Sequence, residues 1–204
     1  ETCDRLNGLI GEVKDFVRFD QGAFPKAPVA VSEVVYQLLP FLRYDETFPD
    51  EKLQLEIKAD CTVLANKIKL QQVLHNLLKN AADVTRDRPD GMISITVDLQ
   101  ETDAVIMVTD NGGGIAPEHF EKIWEPFFTT KGERGNGIGL DVSRRLIENH
   151  KGTISCRSQI DRGTTFEVRL PKFEFPSSPD DETPDESSSS NPAEQACVLH
   201  NGSS

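Results

Sequence analysis

Hydrophobic residues recur along the chain at two spacings, which separate predicted helices from predicted strands. Recurrence every three or four residues, as on one face of a helix, marks residues 1–19, 33–42, 69–85 and 138–150. Strand patterns, most clearly alternation with polar residues, mark residues 29–31, 53–57, 92–99, 104–108, 153–158 and 164–170. This order predicts an α/β (α+β) fold, a two-layer sandwich of a mixed β-sheet with about three helices on one face.

Breaks in these patterns predict four sections of chain. Residues 1–19 carry an apolar stripe and are interpreted as the end of a helix. Residues 20–28 contain a glycine and two prolines, which is typical of a linker. Residues 29–172 hold the predicted sheet and helices and form the folded domain. Residues 173–204 are rich in Ser, Pro, Asp and Glu, so we predict that they are disordered.

Local signals predict where individual elements begin and end. Ser32 is placed to cap the N-terminus of helix 33–42, and Pro40 is expected to end or kink that helix. Residues 117–124 fit one short helix. Gly152, after Lys151, supplies a stop for helix 138–150.

The strongest helical pattern, residues 69–85, has two faces. Its apolar residues predict a core stripe made of Leu70, Val73, Leu77, Ala81 and Val84. Asn76, Asn80 and Asp83 are spaced so that they share one face of the helix. That polar row has two interpretations, which the helix alone does not separate: a solvated surface, or one wall of a nucleotide pocket.

Two glycine-rich turns lie on either side of an aromatic segment in residues 110–140. The three strings are Asp110-Asn111-Gly112-Gly113-Gly114-Ile115, Trp124-Glu125-Pro126-Phe127-Phe128-Thr129-Thr130-Lys131 and Gly135-Asn136-Gly137-Ile138-Gly139-Leu140. Glycine has no Cβ, so backbone N–H groups in such turns can approach a phosphate closely. The second turn leads into helix 138–150, and a helix N-terminus favours anions. The stretch therefore predicts a nucleotide pocket with a movable cover between two glycine hinges.

Composition narrows the class of protein. The net charge is −12, and from Pro176 onward there are six acidic and no basic side chains, so nothing here indicates a nucleic-acid partner. An acidic nucleotide binder needs a metal to neutralise phosphate. The four cysteines form no C-x-x-C pair, which favours reduced thiols and a cytoplasmic location. No apolar run reaches the roughly 18 residues of a membrane helix, so we expect no membrane contact by these residues. The chain looks like a piece of a longer protein, and the sequence leaves open whether that protein is anchored in a membrane.

Five motifs in this order resemble those of the catalytic, ATP-binding domain of sensor histidine kinases, in the GHKL ATPase superfamily with gyrase, a heat-shock chaperone and a mismatch-repair ATPase. Residues 74–81 resemble the N box, residues 110–115 and 135–140 the two glycine boxes, Phe120 with residues 125–131 the F box, and residues 163–166 the last box. Each motif alone is weak, but the five together are specific. The string Glu-Pro-Phe-Phe-Thr-Thr-Lys further resembles kinases of the nitrogen-regulatory type. The resemblance covers roughly residues 29–171 and implies the Bergerat ATP-binding fold, whereas the Walker and eukaryotic protein-kinase motifs are absent.

The resemblance implies ATP and Mg²⁺ as cofactors and gives a role to each matching residue. Asn80 would bind Mg²⁺ through its side-chain oxygen, and Asp110 would accept a hydrogen bond from the adenine amino group. Lys131 would reach the terminal phosphate, and residues 116–136 would form a lid that closes over the nucleotide, with Phe127 and Phe128 either pinning it or packing in the core. Asn80 and Lys131 are the implied catalytic pair. The residues implied to contact ATP are Asn76, Asn80, Asp83, Asp110, Gly112, Gly114, Ile115, Thr129, Thr130, Lys131, Gly135, Asn136, Gly137, Ile138, Gly139, Leu140 and Thr164.

Two positions bear on the reaction class. Hydrolysing relatives carry a Glu four residues before the metal-binding Asn, and here that position is Asn76, which cannot act as a base. This favours phosphoryl transfer to a protein over hydrolysis. Many relatives carry Lys or Arg three residues after the metal-binding Asn, and here that position is Asp83, with Lys79 or Arg86 as possible substitutes.

The resemblance implies transfer of the ATP γ-phosphate to a histidine on a dimerisation domain outside this chain, because no histidine precedes the N box. The phosphate would then pass to an aspartate of a response-regulator receiver domain, and the full-length protein would be a homodimer. Residues 1–19 would be the end of the second dimerisation helix. Two alternatives are a Ser/Thr kinase of the anti-sigma-factor type and an ATP-gated interaction module without transfer.

Overall fold

The computed structural model describes residues 24–43, 52–132 and 135–174, without the side chains of residues 41–43. The predicted helix 1–19, residues 20–23 of the predicted linker and the tail beyond residue 174 lie outside the described residues. In chain order the elements are β1 (Ala27–Ala30), α1 (Val31–Arg43), β2 (Leu53–Ile57), β3 (Thr62–Ala65), α2 (Lys67–Thr85), β4 (Ile93–Gln100), β5 (Asp103–Asp110), α3 (Gly139–Asn149), β6 (Thr153–Gln159) and β7 (Gly163–Pro171).

A five-stranded mixed sheet in the order β2-β4-β5-β7-β6 forms one layer, with β2 parallel to β4 and the other pairs antiparallel. Strands β1 and β3 pair separately. The backbone N–H of Phe173 donates to the carbonyl of Thr62 at 2.7 Å and so ties the end of the domain to β3. The prediction of a two-layer sandwich with a mixed sheet is confirmed.

One face of the sheet carries the core, because alternate residues of neighbouring strands meet in rows. Ile95 pairs with Val108, which pairs with Phe166, and all three are buried. The next rows along the same face are Val97, Ile106 and Val168, then Leu99, Ala104 and Leu170. The helices pack against these rows and bury their apolar stripes there.

Helix α2 begins two residues earlier than the pattern predicted. The side chain of Asn66 caps it by accepting the N–H of Lys69 at 3.0 Å. Four residues of the predicted stripe are buried, and Leu74 and Leu78 join them. Val84 is 39% exposed, so its assignment to the core is wrong.

Helix α1 differs from its prediction at both ends. It begins at Val31, and Ser32 lies inside its first turn rather than at its cap. The Asp60 carboxylate accepts the Ser32 N–H at 2.9 Å and also the Ser32 hydroxyl, so the cap comes from a residue distant in the sequence. The helix continues through Pro40 to Arg43, so Pro40 does not end it.

The segment after the first glycine turn is less regular than predicted. Residues 117–124 form two 3₁₀ turns, Pro117–His119 and Lys122–Trp124, instead of one short helix. Strand β1 likewise starts at Ala27, inside the predicted linker. In the part of the chain that the structure describes, no helix combines the length and the apolar character needed to cross a bilayer.

Candidate functional site

A cavity of about 430 Å³ opens between the polar face of α2, the end of β5 and the segment that joins β5 to α3. It gathers every residue implied to contact ATP except Gly112 and Ile138. The walls also include Lys79, Val84, Ala116, His119, Ile123, Phe128 and Phe166. The polar face of α2 therefore forms one wall of a cavity.

Asp110, the last residue of β5, is buried at one end of the cavity. Its Oδ1 accepts the N–H of Gly112 at 2.8 Å. Burial raises the pKa of the Asp110 carboxyl above its ordinary value, while N–H groups of Gly112 and Thr164 and the charge of Lys131 oppose the rise. A buried carboxylate with spare acceptor capacity can recognise an amino group that enters the pocket.

The first glycine turn is held by the β6–β7 hairpin. The carbonyl of Gly113 accepts the N–H of Asp161 at 2.9 Å, and the Ser158 hydroxyl accepts the N–H of Ile115 at 2.8 Å. Gly114 has φ +73°, and a Cβ there would lie 2.2 Å from the carbonyl oxygen of Gln159. Backbone therefore packs directly on backbone at this end, and a side chain at position 114 does not fit.

Gly112 and Ile138 do not line the cavity. A Cβ on Gly112 would meet the side chain of Val84 at 2.5 Å, so this glycine allows the turn to pack against α2. Ile138 caps the N-terminus of α3 and is buried in the core. Contact with ATP stays a prediction for both residues, as it does for the residues that line the cavity.

Helices α2 and α3 meet at the middle of the pocket. The Asn76 side-chain N–H donates to the hydroxyl of Ser143 at 2.9 Å. Gly139 begins α3, and a Cβ on it would lie 2.2 Å from Oδ1 of Asn76. Because the helices approach closely, the amide of Asn76 lies between them, in the pocket wall next to the N-terminus of α3.

Lys131 reaches across the cavity to the polar face of α2. Its Nζ donates to Oδ1 of Asn80 at 2.9 Å and forms an ion pair with Oδ2 of Asp83 at 2.8 Å. The N–H of Lys131 donates to the Thr129 hydroxyl at 3.1 Å, which fixes the backbone behind the ammonium. The structure thus joins the two implied catalytic residues directly, with Asp83 as the third member.

The second glycine turn closes onto the aromatic segment. The N–H of Phe127 donates to the carbonyl of Gly137 at 2.8 Å, and both residues have positive φ, 67° and 66°. A Cβ on Gly137 would lie 2.4 Å from the carbonyl carbon of Phe127. The Phe127 side chain is 66% exposed, so it does not pack in the core, whereas Phe128 forms part of the pocket wall.

His119 also lines the cavity, although no motif indicated it, and its ring contacts that of Phe128 with 5.2 Å between centroids. The Nδ1 atom of His119 is buried without a hydrogen-bond partner among the described residues. An unpaired polar atom in a pocket wall is a ready partner for a ligand group. Its irregular 3₁₀ setting gave no periodic signal that could have marked it.

The side chains around the cavity fit a metal-bound nucleotide. Asn80 and Asp83 already direct one oxygen each at a single cation, the Lys131 ammonium, and amide and carboxylate oxygens are ligands that Mg²⁺ accepts. The described residues hold no cluster of three His, Cys, Asp or Glu side chains able to bind a metal by themselves. A metal here would therefore be bound by protein oxygens together with oxygens of the phosphates.

Comparisons with known proteins agree on one family. A family model described as "Histidine kinase-, DNA gyrase B-, and HSP90-like ATPase" matches residues 65–174. The C4-dicarboxylate transport sensor protein DctB of Rhizobium meliloti (strain 1021) is 36% identical over 173 residues, 84% of this chain and 27% of that protein. The chain thus spans little more than a quarter of the length of this relative.

Two solved structures extend the likeness to the fold. The nucleotide-free catalytic domain of histidine kinase ThkA has a TM-score of 0.64 and 29% identity, covering 73% of this chain and 97% of that one. ThkA in complex with the response regulator protein TrrA has a TM-score of 0.67 and 26% identity, covering 84% of this chain and 49% of that one.

Proposed function

The chain belongs to the family of histidine kinase-, DNA gyrase B- and HSP90-like ATPases, and from that premise we propose that it is the Mg-ATP-binding catalytic domain of a sensor histidine kinase. One observation carries the proposal: a single cavity is lined by Asn80, by the buried Asp110 and by residues of both glycine turns. The likeness to DctB and to ThkA favours the histidine kinase branch of the family.

Asp110 reads the base in this proposal. Its buried carboxylate accepts a hydrogen bond from the adenine amino group, and guanine, which presents a carbonyl at that place, is rejected. Gly114, Ile115 and Thr164 surround the base at the same end of the cavity. Because the carboxylate is buried, an unmatched base leaves it without its hydrogen bond and lowers affinity.

The other end of the cavity holds the phosphates. Bound Mg²⁺ supplies positive charge to the phosphate oxygens there, with Asn80 as its protein ligand. Backbone N–H groups of Gly137 and Gly139 face the phosphates near the N-terminus of α3. The Gly135 N–H, implied for the same role, donates to the Gly132 carbonyl at 3.2 Å instead. Lys131 contacts the terminal phosphate from the lid side.

The reaction we propose is transfer to a protein rather than hydrolysis. Asn76 lies in the pocket wall and has no carboxylate that could take a proton from water. The acceptor is a histidine of a dimerisation domain outside this chain, because that domain would precede the ATP-binding domain and no histidine precedes the N box here. The phosphate then passes to an aspartate of a response-regulator receiver domain.

The same proposal covers the rest of the chain. Residues 1–19 are the end of a dimerisation helix, the residues between them and β1 are the linker, and residues 173–204 are an acidic extension. The parent protein is a homodimer that presents this domain in the cytoplasm. Net charge and lining residues both indicate that a metal–nucleotide complex, and not a nucleic acid, is the ligand.

A phosphotransfer assay tests the proposal. The purified chain is mixed with a separately produced histidine-bearing dimerisation domain of a related kinase and with ATP labelled at the γ-phosphate. We expect Mg-dependent labelling of that domain with the acid lability of phosphohistidine, lost on Asp110→Asn and retained on Asp98→Asn, a matched change on β4 away from the cavity. Acid-stable labelling would indicate a Ser/Thr kinase, and release of inorganic phosphate without labelling would indicate hydrolysis; both contradict the proposal.

A further inference from the structure

An ion pair ties the lid to helix α2 at the phosphate end of the pocket. Lys131 and Asp83 are far apart in the sequence, yet Nζ lies 2.8 Å from Oδ2. The two side chains are 30% and 28% exposed. The pair is therefore shielded from solvent more than a typical surface ion pair, which contributes little.

The charge of Asp83 is unexpected where phosphates bind. A free carboxylate on the pocket wall repels a polyphosphate, and α2 places Asp83 on the same face as Asn80. The Lys131 ammonium cancels that charge, and Arg86 contacts the other carboxylate oxygen at 3.5 Å from the more exposed side. Because Asp83 is paired with Lys131, any effect of its charge on a phosphate acts together with that of the lysine.

The geometry around Nζ indicates that role. An ammonium group has three N–H donors, and Asn80 and Asp83 accept two of them among the described residues. The group thus stays within the cavity with donor capacity to spare. When the Asn80 oxygen turns to a metal, Asp83 still holds the lysine, and a phosphate oxygen can take the place of Asn80.

We propose that Asp83 is a positioning residue: it holds the Lys131 ammonium at the terminal-phosphate end of the pocket, so that the lid supplies the positive charge that α2 lacks at position 83. The inference rests on the proposed function, because it presumes that ATP fills this cavity. The inference predicts that Asp83 raises the affinity for a nucleoside triphosphate relative to that for a diphosphate. It also predicts that Asp83 has this effect only when Lys131 is present.

Calorimetric titration tests this with Mg²⁺ and two ligands, a non-hydrolysable ATP analogue and ADP. The proteins are wild type, Asp83→Asn, Asp83→Glu, Lys131→Met and the double variant. We expect Asp83→Asn to lower the preference for the triphosphate about three- to fivefold, as for loss of a partly exposed ion pair. Asp83→Glu should retain most of the preference. In the Lys131→Met background, Asp83→Asn should lower it no further.

Asp87→Asn is the charge-matched control, since it removes one negative charge from the exposed turn after α2. It should leave the ratio of the affinities for the ATP analogue and for ADP unchanged. A purely structural tie would weaken both ligands equally in Asp83→Asn, and an effect that persists without Lys131 would exclude action through the lysine; both results overturn the inference. Wild type that binds neither ligand would instead overturn the proposed function.

Discussion

The two ends of the pocket are held by different kinds of contact. At the Asp110 end, backbone contacts backbone: the carbonyl of Gly113 accepts the N–H of Asp161, and Gly114 lies against the carbonyl of Gln159. At the Lys131 end, side chains meet across the cavity, from Lys131 to Asn80 and Asp83. The first end is an extension of the sheet, and the second is a set of exchangeable polar contacts.

This difference teaches what each end can do. A carboxylate fixed by strand β5 and by the hairpin behind it is in place before a ligand arrives, so its selectivity requires no rearrangement. Contacts such as those of Lys131 can be exchanged for contacts to phosphate without breaking the sheet. Substitutions at the Asp110 end that disturb the backbone should therefore cost stability, whereas substitutions at the Lys131 end should cost affinity.

Among the substitutions proposed here, Gly114→Ala should produce the largest loss of stability. Its φ is +73° and its Cβ would meet the Gln159 carbonyl, so we expect the free energy of unfolding to fall by about 3 kcal/mol. Gly113→Ala is the control, because a Cβ there meets no atom within 4 Å and should change the unfolding free energy by about 0.5 kcal/mol or less. Urea unfolding measures both. Equal losses in the two variants would show that the turn is not held by the hairpin.

Gly137→Ala should instead act mainly on ligand binding. Its Cβ would displace Phe127 and open the contact between the second glycine turn and the aromatic segment. We expect affinity for a Mg-bound ATP analogue to fall about tenfold, the worth of one weak charge-assisted hydrogen bond. Gly132→Ala is the control, since its φ is also positive but no described atom lies within 4 Å of the added Cβ. If both alanines weaken binding alike, backbone strain alone explains the loss.

Lowering the pH should have the smallest effect on stability, and it should act through the contact between α2 and α3. His150 joins α2 to α3: its Nε2 accepts the N–H of Asn66 at 2.9 Å, so Nδ1 donates to the Leu146 carbonyl. Burial lowers the pKa of His150, helped by the nearby Lys26 and opposed by the Leu146 carbonyl. Because the pKa of His150 is depressed in the folded state, neutral His150 contributes to the free energy of unfolding above the ordinary histidine pKa. That contribution is lost as pH falls below about 6.5.

We therefore expect the free energy of unfolding to fall by about 1 kcal/mol between about pH 7.5 and 5.5, as one buried hydrogen bond is lost. Denaturant unfolding at each pH measures the change, with His150→Gln as the comparison. The variant should be less stable at neutral pH but nearly insensitive to pH over this window. A wild-type profile parallel to that of the variant would exclude His150 as the sensitive group.

Local pattern was sufficient for most of the fold. Alternation placed every strand except β3 to within a few residues, and helical spacing found the polar row of α2. Strand β3 was missed because its four residues are too few to show a clear alternation. The Asn66 cap could also have been recognised, since Asn directly before a helical pattern is a cap signal. Val84 was misassigned because its spacing is that of the core, whereas the turn at Gly112 leaves it at the pocket wall.

The contacts that long loops bring together could not be predicted. Asp60 caps the helix that begins at Val31, the hairpin at Gln159 holds Gly114, and Lys131 meets Asp83. Each joins residues whose separation carries no periodic signal. The motifs indicated which residues share the pocket, but the pairing of Lys131 with Asp83 follows from the three-dimensional course of the lid.

The most direct test of this account is calorimetric titration with a non-hydrolysable ATP analogue, with and without Mg²⁺, on wild type and Asp110→Asn. We expect Mg-dependent binding by wild type and a loss of about 100-fold in the variant, as for removal of one buried hydrogen bond to a charged group. Urea unfolding of both proteins shows that the variant used for the titration is folded. Binding by a folded Asp110→Asn variant that equals that of wild type would contradict the account.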